Sequence, residues 1–150
     1  MSILNVVGLS ILPISELRGG IPLGIAQGFN PFLVFLVAVL SNIIIIPAVF
    51  FFLDYLHNYF VRINIYRNLF DSYVQMTRTK LENKIGTNTE FLALMLFVGI
   101  PLPVTGAYTG SILAWFFGIN RKKAYLAIIS GVILAGFIVT LASIGLFSLF

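Results

Sequence analysis

Four apolar stretches divide the chain, two of them long and continuous and two of them short and broken. Pro31 to Leu53 and Ala124 to Phe150 are each long enough for one bilayer crossing, which needs about 20 helical residues. Ile3 to Phe29 and Phe91 to Ile119 are interrupted by glycine, proline and polar residues, so neither can supply two full crossings. The pattern therefore predicts two spanning helices and two broken helical segments.

The segment between the two halves has a different pattern. From Asp54 to Glu90 charged residues become frequent, and apolar residues recur at spacings near three, four and seven, as on one face of a helix. The apolar positions of that face are Phe60, Ile63, Phe70, Val74 and Leu81. An amphipathic helix on the membrane surface is one interpretation, and a solvated loop with partial helix is the other.

The two halves follow the same order of elements, which indicates an internal repeat. Each has a short apolar run, a break rich in glycine and proline, a second short run and a long span. The junctions are also alike, "GFNP" at Gly28 to Pro31 and "GINR" at Gly118 to Arg121, and this alignment places Gly20 over Gly110. Repeats with broken helices at matching positions are typical of secondary transporters.

Positive charges orient the halves. Arginine and lysine favour the cytoplasmic side, so Arg62 to Lys84 and Arg121 to Lys123 should share it. The chain from Glu90 to Asn120 then has to enter the membrane and return. We therefore expect a single all-α integral membrane domain of two inverted repeats, 1–53 and 90–150, each a re-entrant helical hairpin followed by a transmembrane helix. The linker 54–89 would be cytoplasmic and both termini outside.

The composition of the chain favours an integral membrane protein and argues against several other classes of protein. Hydrophobic residues make up 59% of the chain and charged residues 9%, against about 25% charged in soluble domains. The chain has no cysteine and one histidine, His57, so neither a metal site nor another cofactor is expected. No nucleophile–base pair, nucleotide-binding loop or basic nucleic-acid surface is evident, and we expect no enzyme. A cleavable signal peptide at the N-terminus would need a basic start, which the chain lacks.

The candidate chemistry of the first break lies in "SELRGG". Glu16 can take up and release a proton, and Arg18 is suited to a phosphate or carboxylate. Gly19 and Gly20 allow close backbone approach, and a half-helix that starts near Gly20 or Ile21, with Pro22 in its first turn, would direct amide groups at an anion. A structural ion pair, or two charges at the headgroup interface, would explain the same residues.

The second break and the first spanning helix add further candidates. In "PLPVTGAYTG" the hydroxyl groups could contact substrate or only satisfy freed backbone groups. Asn42, near the middle of the first span, could line a cavity or join two helices. The candidates outside the first break are Asn42, Pro101, Pro103, Thr105, Gly106, Tyr108 and Thr109.

The motifs "SELRGGIPLGIA" and "PLPVTGAYTGSILA" resemble those of the small multi-drug export proteins, a group of short prokaryotic membrane proteins. That group in turn resembles the DedA superfamily, whose members have two opposed re-entrant hairpins and are associated with moving lipid phosphates across membranes. Proteins of that superfamily carry an acidic residue followed by proline in the first hairpin and a motif with arginine and glycine in the second. The resemblance implies that the protein lies in the prokaryotic plasma membrane and that Glu16 and Pro22 are the acidic residue and the proline of the first hairpin. The second hairpin here, Pro101 to Gly110, lacks the arginine of that superfamily.

Three functions remain open. The first is a proton-linked transporter or flippase for an anion, such as a lipid phosphate or small metabolite, with Glu16 and Arg18 at its site. The second is an exporter of cationic compounds, and the third is a membrane scaffold without transport activity. Membrane lipids are the expected surroundings. A homodimer is expected because two spans offer little protein to cover the hairpins, and Gly131 and Ala135 form a small-residue pair suited to helix packing.

Overall fold

The computed structural model describes residues 2–81, 86–87, 89–102 and 105–150, with the side chains of 76–81 excepted. Within these residues the chain is helical and contains no strand. The helices are α1 (Leu4–Ile11), α2 (Glu16–Ala26), α3 (Pro31–Tyr55), α4 (His57–Phe60), α5 (Asn64–Leu81), α6 (Glu90–Gly99), α7 (Ala107–Phe116) and α8 (Arg121–Ser148).

The two long helices, α3 and α8, correspond to the two predicted spans. They contain 25 and 28 residues, with mean hydropathy of 2.8 and 2.4. At 1.5 Å per residue each is longer than the roughly 30 Å hydrocarbon core of a bilayer. By length and composition, both helices can cross a membrane.

Both long helices begin with the same local structure. Gly28 and Gly118 have φ of +81° and +65°, the left-handed conformation that closes a preceding helix and favours glycine. The side chain of Asn30 accepts a backbone N–H of the first turn of α3 at 2.9 Å, and that of Asn120 does the same for α8 at 3.1 Å. The similar tetrapeptides of the sequence therefore form similar turns and helix caps.

The helices α3 and α8 run antiparallel to each other. Phe35, near the start of α3, packs on Phe137 in the second half of α8, with 4.8 Å between ring centroids. Asp54, near the end of α3, pairs with Arg121 at the start of α8, with 2.9 Å between Oδ2 and Nη1. The end of α3 and the start of α8 therefore lie at the same end of the molecule.

The first hairpin, α1 and α2, ends halfway along α3. A Cβ atom on Gly24 of α2 would lie 2.7 Å from Val34 and 2.9 Å from Val6, so α1 starts near the beginning of α3. Near the other end of α1, the carbonyl of Ser10 accepts a hydrogen bond of 3.0 Å from Asn42 Nδ2, in the middle of α3. The turn after α1 therefore lies beyond the level of Asn42.

The second hairpin, α6 and α7, has the corresponding relation to α8. Glu90 at the start of α6 pairs with Lys123 at the start of α8, with 3.1 Å between Oε2 and Nζ. Gly99, the last residue of α6, faces Leu134 in the middle of α8, where a Cβ atom would lie 2.7 Å from Leu134 Cδ2. Because α3 and α8 are antiparallel, the hairpins approach from opposite ends and their turns meet.

Two helix starts differ from the sequence prediction. The helix α2 begins at Glu16 and not near Gly20 or Ile21, so Pro22 lies inside it and removes one interior hydrogen bond. Gly20 does not break α2, because the absence of a side chain lets α1 pack closely against the helix. A Cβ atom on Gly20 would lie 2.9 Å from the carbonyl oxygen of Val6. The helix α7 begins at Ala107, so the later hydroxyl residues of the second break are helical.

The linker contains a real helix, α5, but its inward face differs from the predicted one. Within 64–75 the positions turned away from solvent are Tyr66, Phe70, Tyr73 and Val74. Ile63 is 49% exposed because it precedes the helix. Leu81 has a side chain outside the described part. The helix α5 runs along α3 towards the hairpin turns, because Tyr66 packs on Phe52 and Tyr73 hydrogen bonds to Thr109.

Gly131 and Gly145 of α8 give a matched test of this packing. A Cβ atom on Gly131 would lie 2.6 Å from the carbonyl oxygen of Met95, whereas one on Gly145 would meet nothing within 4 Å. We expect Gly131→Ala to lower the free energy of unfolding by about 1–3 kcal/mol through overpacking. Gly145→Ala should have no such cost. Denaturant titration of both variants in micelles measures this, and equal losses would show that α6 does not pack at Gly131.

Candidate functional site

The carboxylate of Glu16 lies at the N-terminus of α7, in the opposite hairpin. Its Oε1 atom accepts the N–H of Tyr108 at 3.4 Å, and the N–H of Ala107 also points to the carboxylate. The residue is only 6% exposed. A buried carboxylate is costly without partners, and the free N–H groups and dipole of a helix N-terminus are suited to a negative charge.

The backbone at Glu16 is held in an unusual conformation. Its φ of +45° is the one positive value among the described residues other than glycine. Such a conformation costs about 1–3 kcal/mol and persists only where the surrounding contacts fix it. The strain therefore sits at the residue whose side chain joins the two hairpins.

Gly106 provides the space that the carboxylate occupies. Its φ is +153°, a conformation that residues with a Cβ atom rarely adopt. A Cβ atom at this position would overlap the carboxylate of Glu16. Glycine is therefore required here by the backbone and by the contact.

The guanidinium of Arg18 hydrogen bonds to the break in the second hairpin. It donates to the carbonyls of Leu102 and Thr105, and at 2.9 Å to Thr105 Oγ1. Thr105 Oγ1 also lies 2.8 Å from the carbonyl of Ile100. Leu102 and Thr105 lie between α6 and α7, so their carbonyl groups have no helical partners, and Arg18 supplies donors for both.

A small polar cavity lies between the two turns. It has a volume of about 30 Å³, enough for about one water molecule. The hydroxyl of Tyr73, on α5, hydrogen bonds to Thr109 on α7 at its edge. The lining residues are Pro13, Ile14, Ser15, Glu16, Arg18, Tyr73, Thr105 and Thr109.

A second, apolar cavity of about 610 Å³ lies beside the polar one. Residues of α1, α3, α5 and α7 line it, including Ile11, Phe52 and Phe70. Tyr108 connects the two regions, because its ring lines the apolar cavity, its hydroxyl donates to the carbonyl of Ile11 at 2.6 Å, and its N–H points to Glu16. The volume falls within the range of small-molecule pockets, about 300–1,000 Å³.

Six of the residues predicted from the sequence come together between the turns: Glu16, Arg18, Thr105, Gly106, Tyr108 and Thr109. Asn42 instead joins α3 to α1 through its bond to Ser10. The remaining predicted residues of the first hairpin, Gly19, Gly20 and Pro22, are not among those lining the polar cavity, and neither is Pro101. Pro103 lies outside the described residues.

Sequence reasoning missed four residues that line the polar cavity, Pro13, Ile14, Ser15 and Tyr73, and two of them, Ser15 and Tyr73, carry polar side chains. Tyr73 follows Phe70 by three positions and Tyr66 by seven, which is one face of a helix, so the periodicity of the linker held a signal for it. No periodicity in the sequence points to Ser15, because its position at the cavity depends on the conformation of the turn between α1 and α2. Its hydroxyl donates to the carbonyl of Leu9 at 2.5 Å.

No group of three or more metal-ligating side chains occurs in the described part of the chain. The ring of His57 is surrounded by aromatic side chains. Its ring centroid lies 5.1 Å from that of Trp115 and 4.4 Å from that of Phe70, and its Nδ1 lies 3.1 Å from the hydroxyl of Tyr66. Burial lowers the pKa of His57 below its usual 6.5, with Asp71 partly opposing the shift.

These observations define the class first. The described part of the chain is helical, has two apolar helices of bilayer-spanning length and places the buried carboxylate of Glu16 between two broken helices, which are features that indicate a membrane protein. Residues 16–138 match the family described as "Putative small multi-drug export protein". The match covers more than half of the chain, so the chain belongs to this family, whose description indicates a transporter-like role. Comparisons with curated proteins and with solved structures return no match.

Gly106→Ala tests the contact with Glu16. The control is the same substitution in a Glu16→Ala background, which keeps the backbone strain at position 106 but removes the carboxylate. We expect Gly106→Ala to lower the free energy of unfolding in micelles by about 1–3 kcal/mol more in the unsubstituted chain than in the Glu16→Ala background. Equal losses would contradict the close approach of Glu16.

The fluorescence of Trp115, the one tryptophan of the chain, can report the protonation of His57. Because burial lowers the pKa of His57, the neutral packed ring is favoured above pH 6.5, and this advantage is lost as the pH falls through the lowered value. Protonated histidine quenches an adjacent indole, so Trp115 fluorescence should fall with a midpoint below pH 6.5. The transition should be absent in His57→Gln. A midpoint at or above 6.5 would contradict the packing of α4.

Proposed function

We propose that the protein is a proton-linked secondary transporter or flippase that moves an anionic substrate between the two hairpin turns. The observation that carries the proposal is the carboxylate of Glu16, buried at the N-terminus of α7 with Arg18 close to it in the same turn of α2. A buried ionisable group of this kind in a membrane protein marks a pathway for ions or substrate in most cases.

The proposed coupling exchanges one anion for another. While Glu16 is ionised, its carboxylate accepts N–H groups at the start of α7 and holds the hairpins together. Protonation removes that charge and frees the amide groups, which can then bind an oxygen of a substrate anion. Arg18 supplies the positive charge beside them. Proton uptake and anion binding are thereby linked, because both require Glu16 to leave the start of α7.

The size of the polar cavity supports a closed conformation. Its volume of about 30 Å³ leaves no room for a phosphate group, so the turns have to separate before a substrate can bind. The bonds that hold them include hydrogen bonds from side chains of the first hairpin to the backbone of the second. Water or substrate oxygens and amides can replace such bonds, which suits an opening and closing contact.

The proposed topology is two re-entrant hairpins that enter from opposite faces. It is supported by the antiparallel α3 and α8, and by hairpins that reach only to the middle of these helices. The end of α3 and the start of α8 would be cytoplasmic together with the linker 54–89, and both termini would be outside. A homodimer would cover the outer sides of the hairpins.

Single cysteines test this topology, because the chain has none of its own. Phe32 at the start of α3, Asn68 on α5 and Phe150 are all exposed. In closed vesicles, an impermeant thiol reagent should label Phe32→Cys and Phe150→Cys from the outside, and Asn68→Cys only after lysis. Labelling of Phe150→Cys on the same side as Asn68→Cys would contradict two spans of opposite direction.

Transport is tested in liposomes that contain a fluorescent lipid phosphate or a cationic dye, at opposed pH gradients. We expect movement of the lipid phosphate, lowered at least tenfold by Glu16→Gln, which keeps the shape but not the charge. Arg18→Lys should also lower it, because lysine cannot make the same forked contacts. The exposed Asp71→Asn on α5 is the matched control. Unchanged transport in Glu16→Gln, or an equal loss in Asp71→Asn, would contradict the role of Glu16.

A cationic exporter is the second candidate. The family description and the apolar cavity of about 610 Å³ favour it, whereas Arg18 beside Glu16 opposes the binding of a cation. Movement of the dye alone in the liposome assay would support this function and overturn the anionic substrate. Movement of neither compound would favour a scaffold. Neither function requires enzymatic chemistry or a cofactor.

A further inference from the structure

The helix α5 borders both cavities, although it belongs to neither hairpin. Tyr66 and Phe70 line the apolar cavity, and Tyr73 lines the polar one. We propose that residues 64–75 of α5 form a lid that docks on α3 and α7 and controls access to both cavities. The lid rests on the proposed function for its purpose, but its opening can be measured without any substrate.

The lid docks through one narrow face. Within 64–75, Tyr66, Phe70, Tyr73 and Val74 are turned inward, and all other positions are exposed. These four positions follow the spacing of a single helix stripe. A helix that docks through one stripe can separate as a unit without repacking the hydrophobic core, which is typical of segments with low local stability.

Polar contacts hold the lid near both of its ends. Near its start, the hydroxyl of Tyr66 lies 3.1 Å from Nδ1 of His57. About two helical turns further on, the hydroxyl of Tyr73 hydrogen bonds to Thr109 on α7. Hydrogen bonds of this kind contribute little net stability, because water replaces them when they open. The lid is therefore fixed in position but separates at a low free-energy cost.

The contact with Thr109 links the lid to the hairpin turns. Thr109 is in the first turn of α7, next to Tyr108, whose N–H points to Glu16. If Glu16 leaves the start of α7, the first turn of α7 loses the carboxylate that accepts its N–H groups and keeps the hydrogen bond between Thr109 and Tyr73. Release of the hairpin contact and release of the lid therefore act on the same turn of α7.

Thiol labelling measures the opening. Ser41 lines the apolar cavity beneath the lid and is 7% exposed, and Ser143 on α8 is 5% exposed and away from α5. Both hydroxyls bond to the carbonyl four residues earlier at 2.7 Å, so Ser41→Cys and Ser143→Cys are matched reporters. Each is labelled with a charged methanethiosulfonate in nanodiscs, with and without Tyr73→Phe. Tyr59→Phe, at an exposed tyrosine, is the control substitution.

We expect Tyr73→Phe to speed the labelling of Ser41→Cys about fivefold, the population change that one ordinary hydrogen bond produces. The rates of Ser143→Cys should not change, and Tyr59→Phe should change neither reporter. Equal acceleration of both reporters would mean general destabilisation, and no acceleration would mean that Tyr73 does not hold a lid. Either result overturns the inference. If the labelling follows the expected pattern but the unsubstituted protein moves neither compound in the liposome assay, the lid is supported and the proposed function is contradicted.

Discussion

The structure depends on one constraint, that buried backbone groups of two broken helices need partners. In the described residues this need is met across the molecule, because the charged side chains of the first hairpin bond to the backbone of the second. Glu16 accepts N–H groups at the start of α7, and Arg18 donates to carbonyls after α6. Neither hairpin satisfies its break alone, so the two turns stabilise each other.

Several local features follow from this arrangement. The positive φ of Glu16 and the glycine at 106 are both needed for the carboxylate to reach α7. Thr105 accepts from Arg18 and lies close to the carbonyl of Ile100, so the break has a defined shape. The same groups make a closing contact that a proton or an anion can compete for, which is why structural and functional interpretations of Glu16 and Arg18 need not exclude each other.

The sequence predicts the parts of the fold that depend on periodicity and length. The two spans, the short helices and the similar caps at Asn30 and Asn120 follow from apolar runs and capping residues. The residues of the site were also predicted in part. Their partners were not, because Glu16 and Arg18 bond mainly to backbone groups, which no residue type identifies. The predicted start of α2 was wrong because Gly20 packs against α1 and stays helical. Tyr73 was not predicted because the docking of the linker depends on tertiary contacts.

The central claim is that side chains of the first hairpin hold the second hairpin in place. A double-mutant cycle of Arg18→Lys and Thr105→Val measures it most directly, because Thr105 Oγ1 is the side-chain partner of Arg18 at 2.9 Å. The free energies of unfolding in micelles should be non-additive, with a coupling of at least about 0.5 kcal/mol, as for residues in contact. Additive effects, as for residues that do not touch, would contradict the account.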